Sequence, residues 1–134
     1  MILIKNGRVV DPVTNTDKIM DVLIKDNKIA EVSEHIEASG AQVIDAAGLV
    51  VAPGLVDTHV HFRDPGFTYK EDIETGARAA AKGGFTMVVC MANTKPAVDN
   101  IETLDYIQKK GEKTGINVLQ TATVTKGLKG TELV

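Results

Sequence analysis

The stretch PGLVDTHVHF (residues 53–62) decides the fold that the sequence predicts. Its run from Leu55 to Phe62 predicts a strand, and the Pro-Gly pair before it marks a turn. Further along the chain, predicted helices separate this strand from a second strand at 85–91 and a third at 117–121. Because strands that alternate with helices are typical of α/β folds, we predict a parallel sheet covered by helices.

Capping signals set the ends of the two predicted helices. The first is predicted to begin near Asp72 and to end at Gly83, a residue type that is common after the last helical turn. The second is predicted to begin at Asp99 or Asn100, with Glu102 completing a capping box. Both helices carry apolar residues on one face, as expected of helices that cover a sheet.

Residues 1–52 are predicted to form a small antiparallel β unit. Asn6-Gly7 lies between two short apolar runs and is typical of a two-residue hairpin turn. Asp26-Asn27 lies between a second pair of short apolar runs. The change of pattern at Pro53 therefore divides the chain into residues 1–52 and residues 53–134.

Three parallel strands and two helices make an incomplete barrel. Parallel sheets occur almost only in larger assemblies in which helices cover both faces. A (β/α)8 barrel needs about 250 residues, whereas the 134-residue chain stops after its third predicted strand. We therefore expect the chain to be a fragment of a larger barrel protein.

Composition names no macromolecular partner. The net charge is −3, and 25% of the residues are charged, so there is no basic excess to attract nucleic acid or an acidic membrane. The sequence lacks an apolar run of roughly 18 residues and lacks the features of a signal peptide, so we expect a cytoplasmic location. The lone Cys90 lies in an apolar run and is expected to be a small buried hydrophobe.

Two imidazoles lie at the end of the first predicted barrel strand. His59 and His61 are two residues apart, so strand geometry directs both side chains to the same side. Neutral imidazole is a common zinc ligand, and barrel enzymes keep their active sites at the carboxyl ends of the strands. The pair indicates a metal site, with a polar strand face as the alternative for a bare His-x-His pattern.

Arg63 and Asn93 are candidates for substrate binding. Arg63 continues the alternation of the histidines, and a guanidinium can hold a carboxylate through two hydrogen bonds. The alternative for Arg63 is an ion pair with Asp64, Glu71 or Asp72. Asn93 follows the second predicted strand, and its amide can fix a carboxylate or a ring amide or can serve in a turn.

Four short stretches and the N-terminal strand unit resemble one known family. VAPGLVDTHVH (residues 51–61) resembles the first barrel strand of the amidohydrolase superfamily, and FRDPG (62–66) is similar to the dihydroorotases within it. KGGFT (82–86) and MANTKP (91–96) resemble the same family, as does the N-terminal strand unit. The likeness covers essentially the whole chain.

The resemblance implies an amidohydrolase-type (β/α)8 TIM barrel with a β-sandwich domain. It implies one or two Zn²⁺ ions, held by paired histidines, further His and Asp residues, and a bridging carboxylate. It assigns His59 and His61 to the metal, and Arg63 and Asn93 to the carboxylate and ring of the substrate. The other ligands and the catalytic Asp are expected beyond Val134, so no catalytic residue is assigned in this chain.

The implied activity is that of a dihydroorotase. This zinc-dependent cyclic amide hydrolase reversibly cyclises N-carbamoyl-L-aspartate to (S)-dihydroorotate in de novo pyrimidine biosynthesis. The alternatives are an allantoinase or hydantoinase, which FRDPG together with MANT disfavours, a non-catalytic dihydroorotase-like partner subunit, and a purely structural fragment. We expect the 134-residue chain alone to be inactive. Expected partners are the small-molecule substrate and either further copies of the chain or aspartate transcarbamoylase.

Overall fold

The structure is a computed structural model that describes residues 1–134, and the chain divides into two compact units, Met1–Pro53 and Gly54–Val134. The elements in chain order are β1 (Ile2–Asp11), β2 (Thr16–Lys25), β3 (Lys28–Ser33), β4 (Gln42–Asp45), β5 (Val50–Val51), β6 (Leu55–Val60), α1 (Ile73–Lys82), β7 (Phe85–Cys90), α2 (Ile101–Gly111), β8 (Asn117–Gln120) and a short 3-10 turn (Lys126–Leu128).

The first unit is a five-stranded sheet built around β1. The strand order is β3-β2-β1-β4, and β5 also pairs with β1. The three long strands β1, β2 and β3 are antiparallel, as the sequence predicts, whereas the short strands β4 and β5 run parallel to β1. Five buried apolar residues form the core of this unit: Leu3, Val9, Val22, Ile36 and Ala46.

The predicted hairpin at Asn6-Gly7 is wrong. β1 continues through both residues, and β2 pairs back along it after a turn at residues 12–15. Asn6 has the positive φ, +62°, that the dipeptide signal predicts. The chain uses this conformation in a bulge, because the register of β1 against β2 shifts between Ile4 and Gly7.

The second predicted hairpin is confirmed. β2 and β3 are joined at Asp26 and Asn27, which have φ values of +50° and +58°. Positive φ at both central residues is the geometry that suits the right-handed twist of a two-stranded ribbon. The two predicted turns share a positive φ at their first residue, but only the second has positive φ at both central residues.

A buried carboxylate ties the bulge to the next loop. Asp21 is 2% exposed, and it accepts hydrogen bonds from the N–H groups of Asn6, at 2.9 Å, and Ile36, at 3.0 Å. The ammonium group of Lys5 lies 3.9 Å away. Burial opposes ionisation of Asp21, but these donors outweigh it and hold the pKa of Asp21 below its ordinary value.

This depressed pKa predicts a pH-dependent stability. The contribution of Asp21 is present above the unfolded pKa of about 3.9 and is lost as the pH falls through the lower folded pKa. We expect Asp21→Asn to lower the free energy of unfolding by about 2 kcal/mol at pH 7, because charged acceptors make the stronger hydrogen bonds. The difference should shrink below about pH 4 in urea denaturation. Asp26→Asn, in an exposed turn, is the control, and a difference independent of pH would contradict the assignment.

The second unit has the parallel sheet that the alternating pattern predicts. The strand order is β6-β7-β8, both pairs are parallel, α1 connects β6 to β7, and α2 connects β7 to β8. The buried core of this unit contains Phe62, Ile73, Ala77, Val88, Cys90, Ala92, Val98 and Ile107.

The helix ends show how far local signals are reliable. Asp72 caps α1 and Gly83 ends it, as predicted. α2 is capped by Asn100, whose side-chain oxygen accepts the N–H of Thr103 at 2.8 Å. Because the cap is Asn100, the third helical position is Thr103 and not Glu102. The capping box predicted for Glu102 is therefore not formed.

Part of the second unit's sheet is exposed. The apolar strand residues Leu55, Val56 and Leu119 are all about half accessible to solvent. This agrees with the expectation that two helices cannot cover a three-stranded parallel sheet completely.

The longer helix, α2, has 11 residues, and no helix in the structure combines the length and apolar character required to cross a bilayer.

Candidate metal centre

The candidate residues lie at one edge of the second sheet. His59 lies in β6, His61 follows its last residue, and Asn93 lies in the loop after β7. Because β6 and β7 are parallel, their carboxyl ends reach the same edge. The N–H of Met91 donates to the carbonyl of Val60 at 2.9 Å and holds the two strand ends together.

The structure brings the two predicted imidazoles together. The ring centroids of His59 and His61 are 5.3 Å apart, and the ring planes meet at 62°. This is the neighbouring arrangement that their two-residue spacing predicts. Asp57 supports the pair, because its side-chain oxygen accepts the N–H of His59 at 3.0 Å where the ladder between β6 and β7 is irregular.

The residues that alternate with the histidines pack in the core that the second unit forms beneath α1. Phe62 is buried in the core, and Val60 packs against the same cluster. Gly76 of α1 makes this packing possible, because a Cβ at that position would lie 2.5 Å from the Phe62 ring. Close approach of α1 therefore fixes the segment from which His61 projects.

Asn93 contacts His61. The Oδ1 atom of Asn93 lies 2.9 Å from Nδ1 of the His61 ring. With this oxygen as the acceptor, the neutral imidazole carries its proton on Nδ1 and leaves the lone pair on Nε2. The sequence predicted a substrate contact or a turn for Asn93 and gave no sign of this partner. The two NH₂ hydrogens of Asn93 can still donate elsewhere.

The contact predicts a change in the His61 tautomer when Asn93 is removed. In Asn93→Ala, Nδ1 loses its acceptor, so the population with the proton on Nδ1 should fall. The measurement is the pair of ring ¹⁵N chemical shifts of His61, recorded at a pH where the ring is neutral. The shifts of His35, which is paired with Glu37, provide an internal reference. Asn117→Ala is the control variant, and an unchanged His61 pattern in Asn93→Ala would show that the hydrogen bond does not select the tautomer.

Arg63 does not follow the strand alternation. β6 ends at Val60, and Arg63 has a φ of +63°. The prediction that Arg63 alternates in step with the histidines is therefore wrong, because alternation holds only along extended backbone. The carbonyl of Arg63 accepts the N–H of Phe67 at 2.8 Å. Arg63 thus lies in a tight turn after the strand.

The alternative ion pair of Arg63 with Asp64 is not formed. Asp64 binds α2 instead: Oδ1 accepts from the Tyr106 hydroxyl at 2.9 Å, and Oδ2 accepts from the Lys110 ammonium at 2.8 Å. The Asp64 hydrogen bond is the main cause that raises the pKa of Lys110. The triad was not predicted from the sequence, because Asp64 lies more than 40 residues from both of its partners.

An open groove lies beside His61. Its volume is about 320 Å³, and its lining includes Asp57, Glu71 and the helix-side residues Phe62 and Gly76. His59, Arg63 and Asn93 are not among the lining residues. The groove is therefore next to the imidazole pair and does not enclose the four predicted site residues.

A model of one protein family matches well over half of the chain. The family is described as dihydro-orotase-like, and the match covers residues 48–134. This chain belongs to that family. The matched range contains both histidines of the pair, the turn at Arg63 and the loop of Asn93.

Curated relatives in this dihydro-orotase-like family are dihydroorotases. A protein named dihydroorotase from Clostridioides difficile (strain 630) is 60% identical over all of the chain, and one from Streptococcus pneumoniae serotype 4 is 56% identical over 99% of it. The chain covers 32% of each of these proteins. It therefore spans about a third of the length of the relatives it matches.

Solved structures of hydantoinases have the same fold. The L-hydantoinase (dihydropyrimidinase) from Arthrobacter aurescens superposes with a TM-score of 0.80 at 29% identity, over 92% of the chain and 28% of the hydantoinase. A D-hydantoinase superposes with a TM-score of 0.76 at 34% identity, over 92% of the chain and 27% of that structure. These likenesses support the α/β fold predicted from the alternating elements.

The imidazole pair of the dihydro-orotase-like chain fits part of a zinc site. Two neighbouring nitrogen donors, one with its Nε2 lone pair free, suit a metal that takes imidazole ligands. A zinc site normally needs three or four protein ligands. The chain has no group of three or more His, Cys, Asp or Glu side chains that could hold a metal. The two imidazoles could therefore supply two of the ligands that such a site needs.

Cys90 is not a candidate nucleophile. It is buried in the core of the second unit, as its apolar surroundings predict. Burial raises the pKa of the Cys90 thiol to about 11. The thiol therefore stays protonated near neutral pH, where the thiolate would be the reactive form.

Proposed function

We propose that this chain is the part of a zinc-dependent dihydroorotase that carries the first two metal ligands. The observation that carries the proposal is the adjacent imidazole pair at the end of β6, in a chain 60% identical to a protein named dihydroorotase. In this proposal residues 1–52 belong to a β-sandwich domain. Residues 53–134 are the first three strands and two helices of a (β/α)8 barrel.

The proposed reaction is the reversible cyclisation of N-carbamoyl-L-aspartate to dihydroorotate. Zinc, when bound, supplies Lewis acidity that polarises a carbonyl and lowers the pKa of water. His59 and His61 would hold the ion. The Oδ1 atom of Asn93 would accept the Nδ1–H hydrogen of His61 at 2.9 Å. This hydrogen bond would leave the lone pair on Nε2 free for the metal.

The substrate roles proposed for Arg63 and Asn93 follow from their chemistry. Both N-carbamoyl-L-aspartate and dihydroorotate carry a carboxylate, which a guanidinium binds through paired hydrogen bonds. Arg63 does not take part in any ion pair within the chain. Asn93 can donate its NH₂ hydrogens to the substrate while its oxygen accepts from His61.

Hydantoinase activity is the competing function, because the structural neighbours named above are hydantoinases. Their sequence identity to this chain, 29% and 34%, is well below the 60% of the dihydroorotase relative.

The test is to compare turnover of dihydroorotate, hydantoin, dihydrouracil and allantoin by the zinc-loaded full-length protein. We expect the highest kcat/KM with dihydroorotate. Turnover of hydantoin without dihydroorotate would replace the proposal, and no turnover of any substrate would favour a non-catalytic partner subunit.

Arg63→Ala should weaken catalysis by the full-length enzyme. The loss of a charged carboxylate contact should cost about 2 to 4 kcal/mol of transition-state binding, or about thirtyfold to a thousandfold in kcat/KM. Steady-state kinetics with N-carbamoyl-L-aspartate measure it. Arg78→Ala, an exposed arginine of α1, is the matched control. A loss below about threefold, roughly 0.7 kcal/mol, would make Arg63 structural.

The 134-residue chain by itself should neither retain zinc nor turn over dihydroorotate. Two imidazoles are fewer than the three protein ligands of a catalytic zinc, so the affinity should be weak. Metal content after dialysis and dihydroorotate hydrolysis, each measured beside the full-length protein, check both statements. Stoichiometric zinc with turnover near that of the full-length protein would show that the chain is a complete enzyme.

The remaining features of the proposal come from the resemblance. They are one or two Zn²⁺ ions in each complete site, a role in pyrimidine biosynthesis, a cytoplasmic location, and assembly with further copies of the chain or with aspartate transcarbamoylase. These stay predictions, and metal analysis and the oligomeric state of the purified full-length protein test two of them.

A further inference from the structure

Asp64 is a buried charge that is adjacent in sequence to the candidate site residues. Its side chain is completely buried, yet it is next in sequence to Arg63 and three residues after His61. Its two partners both lie on α2, where Tyr106 and Lys110 are four residues apart and therefore share one face. A buried carboxylate needs such partners, because an unpaired charge inside a protein is strongly unfavourable.

The residue before Asp64 has an unusual backbone. Arg63 has a φ of +63°, a conformation that residues with a side chain rarely adopt. Such a conformation persists only when the surroundings hold it. The hydrogen bond from the N–H of Phe67 to the carbonyl of Arg63 closes the turn on one side. The Asp64 side chain fastens the other side to α2.

A second attachment connects the same segment to the loop that carries Asn93. The N–H of Lys95 donates to the carbonyl of Pro65 at 3.1 Å. Gly66 packs on Lys95 so closely that a Cβ would lie 2.0 Å from the Lys95 carbonyl oxygen. Residues 63–66 are thus held at two points, one on α2 and one on the loop after β7.

We infer that Asp64, through Tyr106 and Lys110, is a positioning residue that holds Arg63 in the conformation that binds the substrate carboxylate. The inference rests on the proposed function. Asp64 itself does not reach the substrate, because its side chain is completely buried and both of its oxygens are occupied. When the attachment is lost, only a fraction of the molecules hold Arg63 correctly, and the apparent substrate affinity falls by that fraction.

A purely stabilising role would behave differently. If the triad only stabilised the fold, its loss would reduce the amount of active protein and lower the apparent kcat, with KM unchanged. Loss of positioning raises KM and leaves kcat nearly the same, because bound substrate restores the conformation. The two roles therefore differ in which kinetic constant changes.

Two variants of the full-length protein separate stability from positioning. Lys110→Met leaves the Asp64 carboxylate buried with the Tyr106 hydroxyl alone, so it should lower both the Tm and the affinity. The double variant Asp64→Asn with Lys110→Met removes the unpaired charge but does not restore the ionic attachment. We expect its Tm to recover towards the wild-type value while KM for dihydroorotate stays about fivefold or more above wild type, with kcat within about threefold. Lys109→Met, one residue away and exposed, is the control and should match the wild type.

Amide hydrogen exchange gives a readout that does not depend on activity. The Phe67 and Lys95 amides, which close the turn and join the two loops, should exchange about tenfold faster in the double variant than in the Lys109→Met control. If wild-type protein fails to hydrolyse dihydroorotate, the proposed function is wrong, and the exchange result still decides whether Asp64 holds the segment. Unchanged exchange in the double variant, or a KM that recovers together with the Tm, overturns the inference.

Discussion

The parallel pairing of β6 with β7 is the constraint on which the candidate site depends. Parallel strands end at the same edge of a sheet, so residues that follow one strand meet residues that follow the next. Here His61 and Asn93 are 32 residues apart in sequence and share a 2.9 Å hydrogen bond. An antiparallel pairing would place them at opposite edges, and neither the hydrogen bond between His61 and Asn93 nor the one between Lys95 and Pro65 could form.

Features that depend on short stretches of sequence could be predicted. The alternation of strands and helices predicted the parallel sheet, and the spacing of His59 and His61 predicted neighbouring rings. Asn6-Gly7 shows the limit, because the positive φ of Asn6 was predicted correctly but its use in a bulge was not. Whether such a dipeptide reverses the chain depends on the strand that pairs with it, and that information lies elsewhere in the sequence.

The site features that could not be predicted are contacts between distant residues. Asp64 and Lys110 are 46 residues apart, and no periodic pattern connects them. The predicted alternation at Arg63 failed for a related reason. Strand alternation ends where the backbone leaves the extended region, as it does at Arg63. Both buried carboxylates, Asp21 and Asp64, follow the same physical rule: each lies where donors from another segment converge and so fixes a joint between segments.

The contact between Gly76 and Phe62 has a consequence for redesign of this protein. Phe62 lies between His61 and Arg63 in the sequence, and its ring occupies the space that any side chain at position 76 would need. A larger residue at that position would push the ring, and with it the backbone on which both polar neighbours depend. The lack of a side chain at Gly76 thus sets how closely α1 approaches the segment that follows β6. Libraries that vary this segment should change positions 62 and 76 as a pair.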